Sequence, residues 1–138
     1  MAALEYSLGR FGLMLGTHCL LELYGCDAER INDPEFLEQT LKTAADTSRA
    51  TLIKTFVHKF EPQGVTGFAL LGESHISLHS WPESGYVAAD CYTCGDKAIP
   101  ELACEYLAKQ LKAKSSSIST FKRFSRDALS EKELVLVN

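Results

Sequence analysis

The distribution of apolar residues divides the chain into eight segments with two kinds of period. Six short stretches are rich in β-branched and aromatic residues or alternate apolar with polar positions, which predicts strands. Two stretches repeat apolar residues at helical spacing, and the first begins at Asp33-Pro34-Glu35, a favourable helix start. The predicted strands cover residues 15–24, 51–60, 65–72, 75–79, 86–94 and 117–124, and the predicted helices run from residue 34 to about 45 and from 100 to 113.

The order β-α-β-β-β-β-α-β predicts an α+β fold in one domain, residues 1–138. Strands joined by short turns are antiparallel, because a parallel crossover needs about a dozen residues or more. The two helices are therefore expected on one face of an antiparallel sheet, as a two-layer sandwich. Polar and apolar residues alternate over 75–79, which places His75 and His79 on the opposite, open face. Such a face favours a partner subunit.

Composition and charge narrow the class of protein. Of the 138 residues, 46% are apolar and 23% are charged, which is typical of a soluble globular domain. The net charge is −4 and no long basic run occurs, so nucleic acid is not an expected partner. The apolar stretch 11–25 is interrupted by polar residues and fits neither a membrane span nor a secretory signal. We therefore expect a cytoplasmic protein without a membrane partner, and its five cysteines are expected to be reduced.

The residues that could carry chemistry concentrate between positions 66 and 94, and several interpretations compete. His75, His79, Cys91 and Cys94 could form a tetrahedral zinc site, and the two cysteines could form a redox dithiol. Positions 91 and 94 of one strand point to opposite faces, which weakens both interpretations. A serine hydrolase is also weakly supported, because the G-x-S-x-G motif requires glycine where Ile76 stands.

A fourth interpretation is self-cleavage between Glu73 and Ser74. The serine hydroxyl attacks the preceding carbonyl and converts the amide to an ester; a base then removes the Cα proton, and elimination cuts the chain. Hydrolysis leaves a pyruvoyl group, an electron sink comparable to pyridoxal phosphate. The reaction needs a serine at a tight bend, a nearby histidine and a hydroxyl group, which Ser74, His79 and Thr66 could supply. The chemistry of these residues alone does not select this interpretation.

The order of residues from 64 to 96 resembles the short prokaryotic S-adenosylmethionine decarboxylases. Glu73-Ser74-His75 matches their processing site, His79-Ser80-Trp81-Pro82-Glu83 matches the motif that follows it, and Thr93-Cys94-Gly95 matches the end of the next strand. The resemblance extends more weakly over residues 12–125. It implies an α/β sandwich with an antiparallel sheet, which pairs into a homodimer with active sites at the interface.

The resemblance also implies the processing and catalytic roles. Ser74 becomes the pyruvoyl group, the only expected cofactor, and no metal is expected. Cleavage after Glu73 leaves a β chain (1–73) and an α chain (74–138). His79 assists the elimination step, and Cys94 protonates the product carbon after carbon dioxide leaves. Thr66 stands where the family usually has serine; it keeps the hydroxyl but adds a methyl group, and we expect processing to survive.

For the substrate, the resemblance implies that Phe60 stacks on the adenine ring and that Glu83 accepts hydrogen bonds from the ribose hydroxyls. The expected reaction is decarboxylation of S-adenosylmethionine, through a Schiff base with the pyruvoyl group, to the aminopropyl donor of spermidine synthesis. One alternative is decarboxylation of arginine or another basic amino acid on the same fold, with Glu83 gripping a guanidinium. Another is a non-catalytic zinc-binding module. His18 and His58 receive no functional role, and neither do Cys19, Cys26 and Cys104.

Overall fold

The computed structural model describes residues 16–123, which form six strands and two helices. Segments predicted outside this range, including the end of the predicted last strand at residue 124, lie outside the described residues. The strands are β1 (Gly16–Tyr24), β2 (Leu52–Lys59), β3 (Val65–Leu71), β4 (Ser74–Trp81), β5 (Tyr86–Cys94) and β6 (Ser115–Arg123), and the helices are α1 (Pro34–Thr47) and α2 (Pro100–Gln110).

All six strands join one antiparallel sheet in the order β2-β3-β4-β5-β1-β6. Strands β2 to β5 form a meander with short turns. Strand β1 pairs with β5 on one side and with β6 on the other, so the ends of the described chain meet in the sheet. The predicted element order and the antiparallel pairing are both confirmed.

The two helices cover the same face of the sheet, as predicted. Helix α1 packs on β2 and β3, and α2 packs on β1 and β5. The N-terminus of α1 is capped by Asp33, whose carboxylate accepts from the N–H groups of Glu35 and Phe36. A Cβ at Gly67 would lie 2.7 Å from Leu41 Cδ1, so the absence of a side chain at Gly67 lets α1 approach β3 closely. Within residues 16–123, no helix is long and apolar enough to cross a membrane.

The core lies between the helices and the sheet. On each central strand, every second side chain points toward the helices and belongs to the core. The fully buried side chains with the largest volumes include Leu21 and Leu23 of β1, Ile76 and Leu78 of β4, and Leu107 of α2. Burying a leucine or isoleucine of this kind stabilises the fold by about 1.5–3 kcal/mol. The alternation predicted for residues 75–79 is therefore confirmed.

Two details of the second helix differ from the prediction. Helix α2 ends at Gln110 rather than at Ala113, because the chain turns at Lys112, whose φ is 53°. Leu111 is still fully buried, so the apolar pattern continued past the end of the helix. Leu102 belongs to the apolar pattern over residues 100–113 but is only half-buried.

The second face of the sheet has no helix on it, and we refer to it as the open face. Large apolar side chains stand on it, among them Phe56 at 52% exposure, Phe121 at 51% and Trp81 at 41%. Polar side chains of β1, β4 and β5 lie between them. A monomer that leaves this many aromatic side chains in water on one surface is unusual.

Candidate active site

A two-residue turn, Gly72-Glu73, joins β3 to β4 and ends at Ser74. Leu71 and Ser74 are paired across this hairpin. Ser74 has a φ of 150°, which an L residue with a side chain rarely adopts and which costs on the order of 1–3 kcal/mol. The surrounding hairpin therefore holds the backbone of Ser74, directly after the Glu73-Ser74 peptide bond, in a strained conformation.

The carbonyl oxygen of Glu73 accepts a hydrogen bond of 2.8 Å from the backbone N–H of Cys94. This contact follows from the sheet, because Ser74 is paired with Thr93 on the neighbouring strand. Glu73, Ser74 and Cys94 therefore lie together at one end of the open face, which we call the cleavage end. The sequence placed all three in one site, and the structure brings them together.

Cys94 is a half-buried thiol whose surroundings favour the protonated form. Burial raises the pKa of Cys94, and the charge of the Glu73 carboxylate raises it further. Cys91, three residues earlier, faces the core on the other side of the sheet and is fully buried. Its contact with Cys104 and its burial raise the pKa of Cys91 well above the ordinary value. Of the two thiols, only that of Cys94 is placed to donate a proton at the cleavage end.

Thr66, His79, Glu83 and Phe60 lie near the other end of the sheet, which we call the distal end. Thr66 and His79 are paired on adjacent strands, and Thr66 Oγ1 lies 3.0 Å from His79 Nδ1. The hydroxyl of Thr66 is therefore within hydrogen-bonding distance of the His79 ring. Glu83 is exposed on Pro82–Ser84, which forms one turn of 3₁₀ helix. Phe60 follows β2, is 47% exposed, and contacts the edge of His58.

The two ends do not meet within one chain. His79 stands five residues beyond Ser74 on the same strand, and a strand advances about 3.3 Å per residue, so their Cα atoms lie about 16 Å apart. No histidine side chain spans that distance. Within one chain, His79 therefore does not supply the nearby histidine that cleavage at Ser74 requires, because strand geometry separates residues that are close in sequence.

Comparison with known proteins identifies this arrangement. Residues 17–124 match the family model described as S-adenosylmethionine decarboxylase. The chain is 53% identical over 116 residues to an S-adenosylmethionine decarboxylase proenzyme of Prochlorococcus marinus, covering 84% of this chain and 93% of that one. The chain belongs to the S-adenosylmethionine decarboxylase family. A proenzyme of the same name from Clostridium tetani is 44% identical over 79% of this chain and 86% of its own length.

A solved structure supports the same assignment at the level of the fold. The chain superposes on the crystal structure of the adenosylmethionine decarboxylase from Aquifex aeolicus with a TM-score of 0.75 and 39% sequence identity. The match covers 80% of this chain and 92% of that one. The two-layer sandwich is therefore the fold of the S-adenosylmethionine decarboxylase family, and the predicted fold class is confirmed.

The four residues of the alternative zinc site do not come together in this decarboxylase fold. Cys91 points into the core, whereas His75 and His79 are on the open face. His75 and His79 are also four strand residues apart, about 13 Å. Among residues 16–123, the only side chains that bring three potential metal ligands within 4.8 Å are His18, His75 and Asp90. The zinc module built on His75, His79, Cys91 and Cys94 is therefore ruled out.

His18, His75 and Asp90 are instead joined by hydrogen bonds at the centre of the open face. Asp90 Oδ2 lies 2.7 Å from His18 Nε2 and 2.6 Å from His75 Nε2, and Ser77 donates its hydroxyl to Oδ1. Arg123 lies 2.9 Å from His18 Nδ1. Because a guanidinium only donates, His18 Nδ1 accepts a hydrogen bond from Arg123. His18 Nε2 therefore carries the ring proton and donates it in the hydrogen bond to Asp90.

The carboxyl group of Asp90 is held in its charged form by this network. Partial burial acts on Asp90 most strongly and opposes the charge, but the hydrogen bonds from Ser77, His18 and His75 together outweigh it, so the pKa of Asp90 is lowered from its ordinary value of 3.8. Three donors meet the hydrogen-bonding needs of this half-buried carboxylate, so Asp90 has a structural role. We refer to Asp90, His18, His75 and Ser77 as the Asp90 network.

Sequence reasoning missed the Asp90 network and also Thr51, whose N–H and hydroxyl donate to the Glu73 carboxylate. His18 was left without a role, yet it contacts a residue 72 positions away. The alternating pattern does place His18, His75 and Asp90 on the open face of their strands. It gives no sign that β1 pairs with β5 in the register that lets the three side chains meet.

Proposed function

We propose that this chain is a self-cleaving S-adenosylmethionine decarboxylase proenzyme, cut between Glu73 and Ser74 into a β chain (1–73) and an α chain (74–138). One observation carries the proposal: a strained serine follows a carbonyl that already receives a hydrogen bond of 2.8 Å from the Cys94 N–H. A donor at this position stabilises negative charge that develops on the carbonyl oxygen during attack. Ground-state strain at Ser74 is relieved as the peptide bond breaks.

Cleavage proceeds in two stages that use only the chain and water. Ser74 Oγ bonds to the carbonyl carbon of Glu73, the C–N bond breaks, and the hydroxyl proton passes to the released nitrogen, which gives an ester. A base then removes the Cα proton of residue 74, and the Cβ–Oγ bond breaks with Glu73 leaving as a carboxylate. Water replaces nitrogen at the resulting N-terminus, ammonia departs, and a pyruvoyl group remains.

The residues at the cleavage end fit the pyruvoyl group. When formed, it supplies a carbonyl that condenses with a substrate amine and withdraws electrons as carbon dioxide leaves. Cys94 lies beside it and, with its pKa raised by burial and by Glu73, keeps the proton that the product carbon requires. The backbone N–H of Cys94, which donates to the carbonyl oxygen of Glu73, holds the new C-terminus of the β chain.

The active enzyme is a homodimer in this proposal, because His79, the histidine assigned to processing, lies about 16 Å from Ser74 of its own chain. Two open faces can pack about a two-fold axis that crosses the strands midway between residues 74 and 79. That axis brings the distal end of one protomer onto the cleavage end of its partner. Burial of the exposed aromatic side chains of the open face favours the pairing. Thr66 and His79 of one protomer then serve Ser74 of the other.

Substrate binding is assigned to Phe60 and Glu83 at the distal end. The half-exposed ring of Phe60 offers a flat apolar face to adenine, and such stacking contributes on the order of 1 kcal/mol or more. The Glu83 carboxylate accepts from both ribose hydroxyls without requiring a cation. The decarboxylated product is the aminopropyl donor for spermidine synthesis. The five free thiols fit a reducing compartment, and we place the enzyme in the cytoplasm.

Release of labelled carbon dioxide from carboxyl-labelled substrates tests the activity. Wild-type protein is expected to release it from S-adenosylmethionine and not from arginine, and Ser74→Ala is expected to release it from neither. Release from arginine alone would assign the chain to the basic amino acids instead. Equal release by wild type and Ser74→Ala would contradict the pyruvoyl chemistry.

A further inference from the structure

Thr51 holds the side chain of Glu73 by three hydrogen bonds. Its backbone N–H donates to both carboxylate oxygens, at 3.1 and 2.9 Å, and its hydroxyl donates to Oε1 at 3.0 Å. The carbonyl oxygen of Thr51 in turn accepts from the N–H of Gly72 at 2.8 Å. Thr51 therefore contacts both residues of the turn that precedes Ser74, and we call this set of bonds the Thr51 clamp.

The clamp continues the sheet past its last regular pair. Leu52 pairs with Leu71, and the register shifts immediately after, between Leu52 and Lys54. Thr51 consequently lies against the turn, with its Cβ 3.5 Å from the place where a Gly72 side chain would begin. A β-bulge of this kind commonly redirects a side chain beside a functional site. Here it directs the N–H and hydroxyl of Thr51 at the Glu73 carboxylate.

The scissile carbonyl is thereby fixed from two sides. The Cys94 N–H holds the oxygen of Glu73, and Thr51 holds the other end of the same residue through its carboxylate. A two-residue turn without the second hold could rotate the Glu73-Ser74 peptide and release the strain at Ser74, whose φ is 150°. Attack by Ser74 Oγ depends on keeping that geometry, because small misplacements of reacting atoms slow intramolecular reactions strongly.

We propose that Thr51 is a positioning residue for self-cleavage, which acts on the scissile bond through the carboxylate of Glu73. The inference rests on the proposed cleavage between Glu73 and Ser74. It also explains why a carboxylate precedes the serine: its two oxygens accept all three hydrogen bonds from the two donors of Thr51, whereas a glutamine would turn an NH₂ group toward a donor.

The test compares rates of precursor cleavage in pulse-labelled cell-free translation, followed on denaturing gels. Thr51→Val keeps the shape and the N–H but loses the hydroxyl, and we expect cleavage to slow about three- to tenfold. Thr51→Ser restores the hydroxyl and is expected to cleave within about twofold of wild type. Glu73→Gln is expected to be slower than Thr51→Val, and the double variant no slower than Glu73→Gln alone, because the two residues act through one contact.

Thr55→Val is the matched control. Thr55 is on β2, the edge strand that begins directly after Thr51, and its hydroxyl donates to another glutamate, Glu38, at 2.7 Å, but it does not contact the turn. Its cleavage rate should equal that of wild type. Thermal unfolding of each variant, combined with Ser74→Ala so that the chain stays uncut, measures any general loss of stability. Thr51→Val and Thr55→Val should lose a similar amount.

Three outcomes are separable. Cleavage of Thr51→Val at the wild-type rate would overturn the clamp and leave the proposed function standing, as would equal slowing in Thr51→Val and Thr55→Val. Absence of any cut at residue 73 in the wild type would overturn both. Slowing of Thr51→Val alone, with recovery in Thr51→Ser, supports the clamp.

Discussion

Two variants that cannot cleave alone should, when they are expressed together, allow cleavage of the one that keeps Ser74. Ser74→Ala removes the residue that is cut, and His79→Ala removes the proposed base. In a mixed dimer, one site combines the intact Ser74 of the His79→Ala chain with the intact His79 of the Ser74→Ala chain. The other site combines both defects and stays inactive.

The need for a mixed dimer follows from a distance within one chain, and the expected fraction of cut chains follows from random pairing. Ser74 and His79 are about 16 Å apart along β4, so His79 can act on Ser74 only from a second copy. If both variants are made in equal amounts and pair at random, about half of the His79→Ala chains have a Ser74→Ala partner. About half of the His79→Ala chains should therefore be cut, and no Ser74→Ala chain should be cut.

Distinct affinity tags on the two variants allow each chain to be followed on a denaturing gel after co-expression. Each variant expressed alone is the control and should remain largely uncut. If the His79→Ala chain stays intact in the mixture while the two chains purify together, the shared active site is wrong. If His79→Ala is cut at the wild-type rate on its own, His79 is not required for cleavage.

Three further predictions concern individual side chains. Cys94→Ala should lower turnover far more than Cys91→Ala, because only Cys94 faces the cleavage end. Cys91→Ala should instead lower the unfolding free energy by about 1–2 kcal/mol, because it leaves a cavity in the core. A larger loss of turnover in Cys91→Ala and a larger loss of stability in Cys94→Ala would contradict these roles. Phe60→Ala and Glu83→Gln should each raise the Michaelis constant for S-adenosylmethionine while cleavage proceeds, and an unchanged constant in both would remove the nucleoside site. Asp90→Asn should lower stability by about 1–3 kcal/mol at pH 7. Because the pKa of Asp90 is lowered from 3.8, the stability that its carboxylate contributes is complete above pH 3.8 and is lost as the pH falls through the lower folded-state pKa. The unfolding free energies of wild type and variant, measured by chemical denaturation, should therefore converge at low pH.

The strands and their faces were predictable because their signals are local. Strand β5 has the predicted bounds, and the alternation over 75–79 correctly placed Ile76 and Leu78 in the core. The end of α2 was misplaced because Leu111 continues the apolar pattern from a turn. Local patterns carry this kind of information and no more.

The residues of the candidate site were proposed from the sequence, but their layout was not. Glu73, Ser74 and Cys94 meet as expected, because a strand pair brings Cys94 beside the turn. His79 does not join them, since five strand residues separate it from Ser74. The Asp90 network and the Thr51 clamp depend on pairing between distant segments and on a register shift, and neither leaves a mark in the sequence around those residues.

The central claim is that the chain cuts itself at Ser74 and converts that residue, and the intact mass of the purified wild-type protein tests it most directly. The account predicts two polypeptides whose sequences meet between residues 73 and 74. The α chain should be lighter by about 17 Da than a fragment beginning with serine, because nitrogen leaves as ammonia when the carbonyl forms. Ser74→Ala should give the mass of the uncut chain. A single wild-type species of full length that still decarboxylates S-adenosylmethionine, or an α chain that begins with an unmodified serine, would contradict the account.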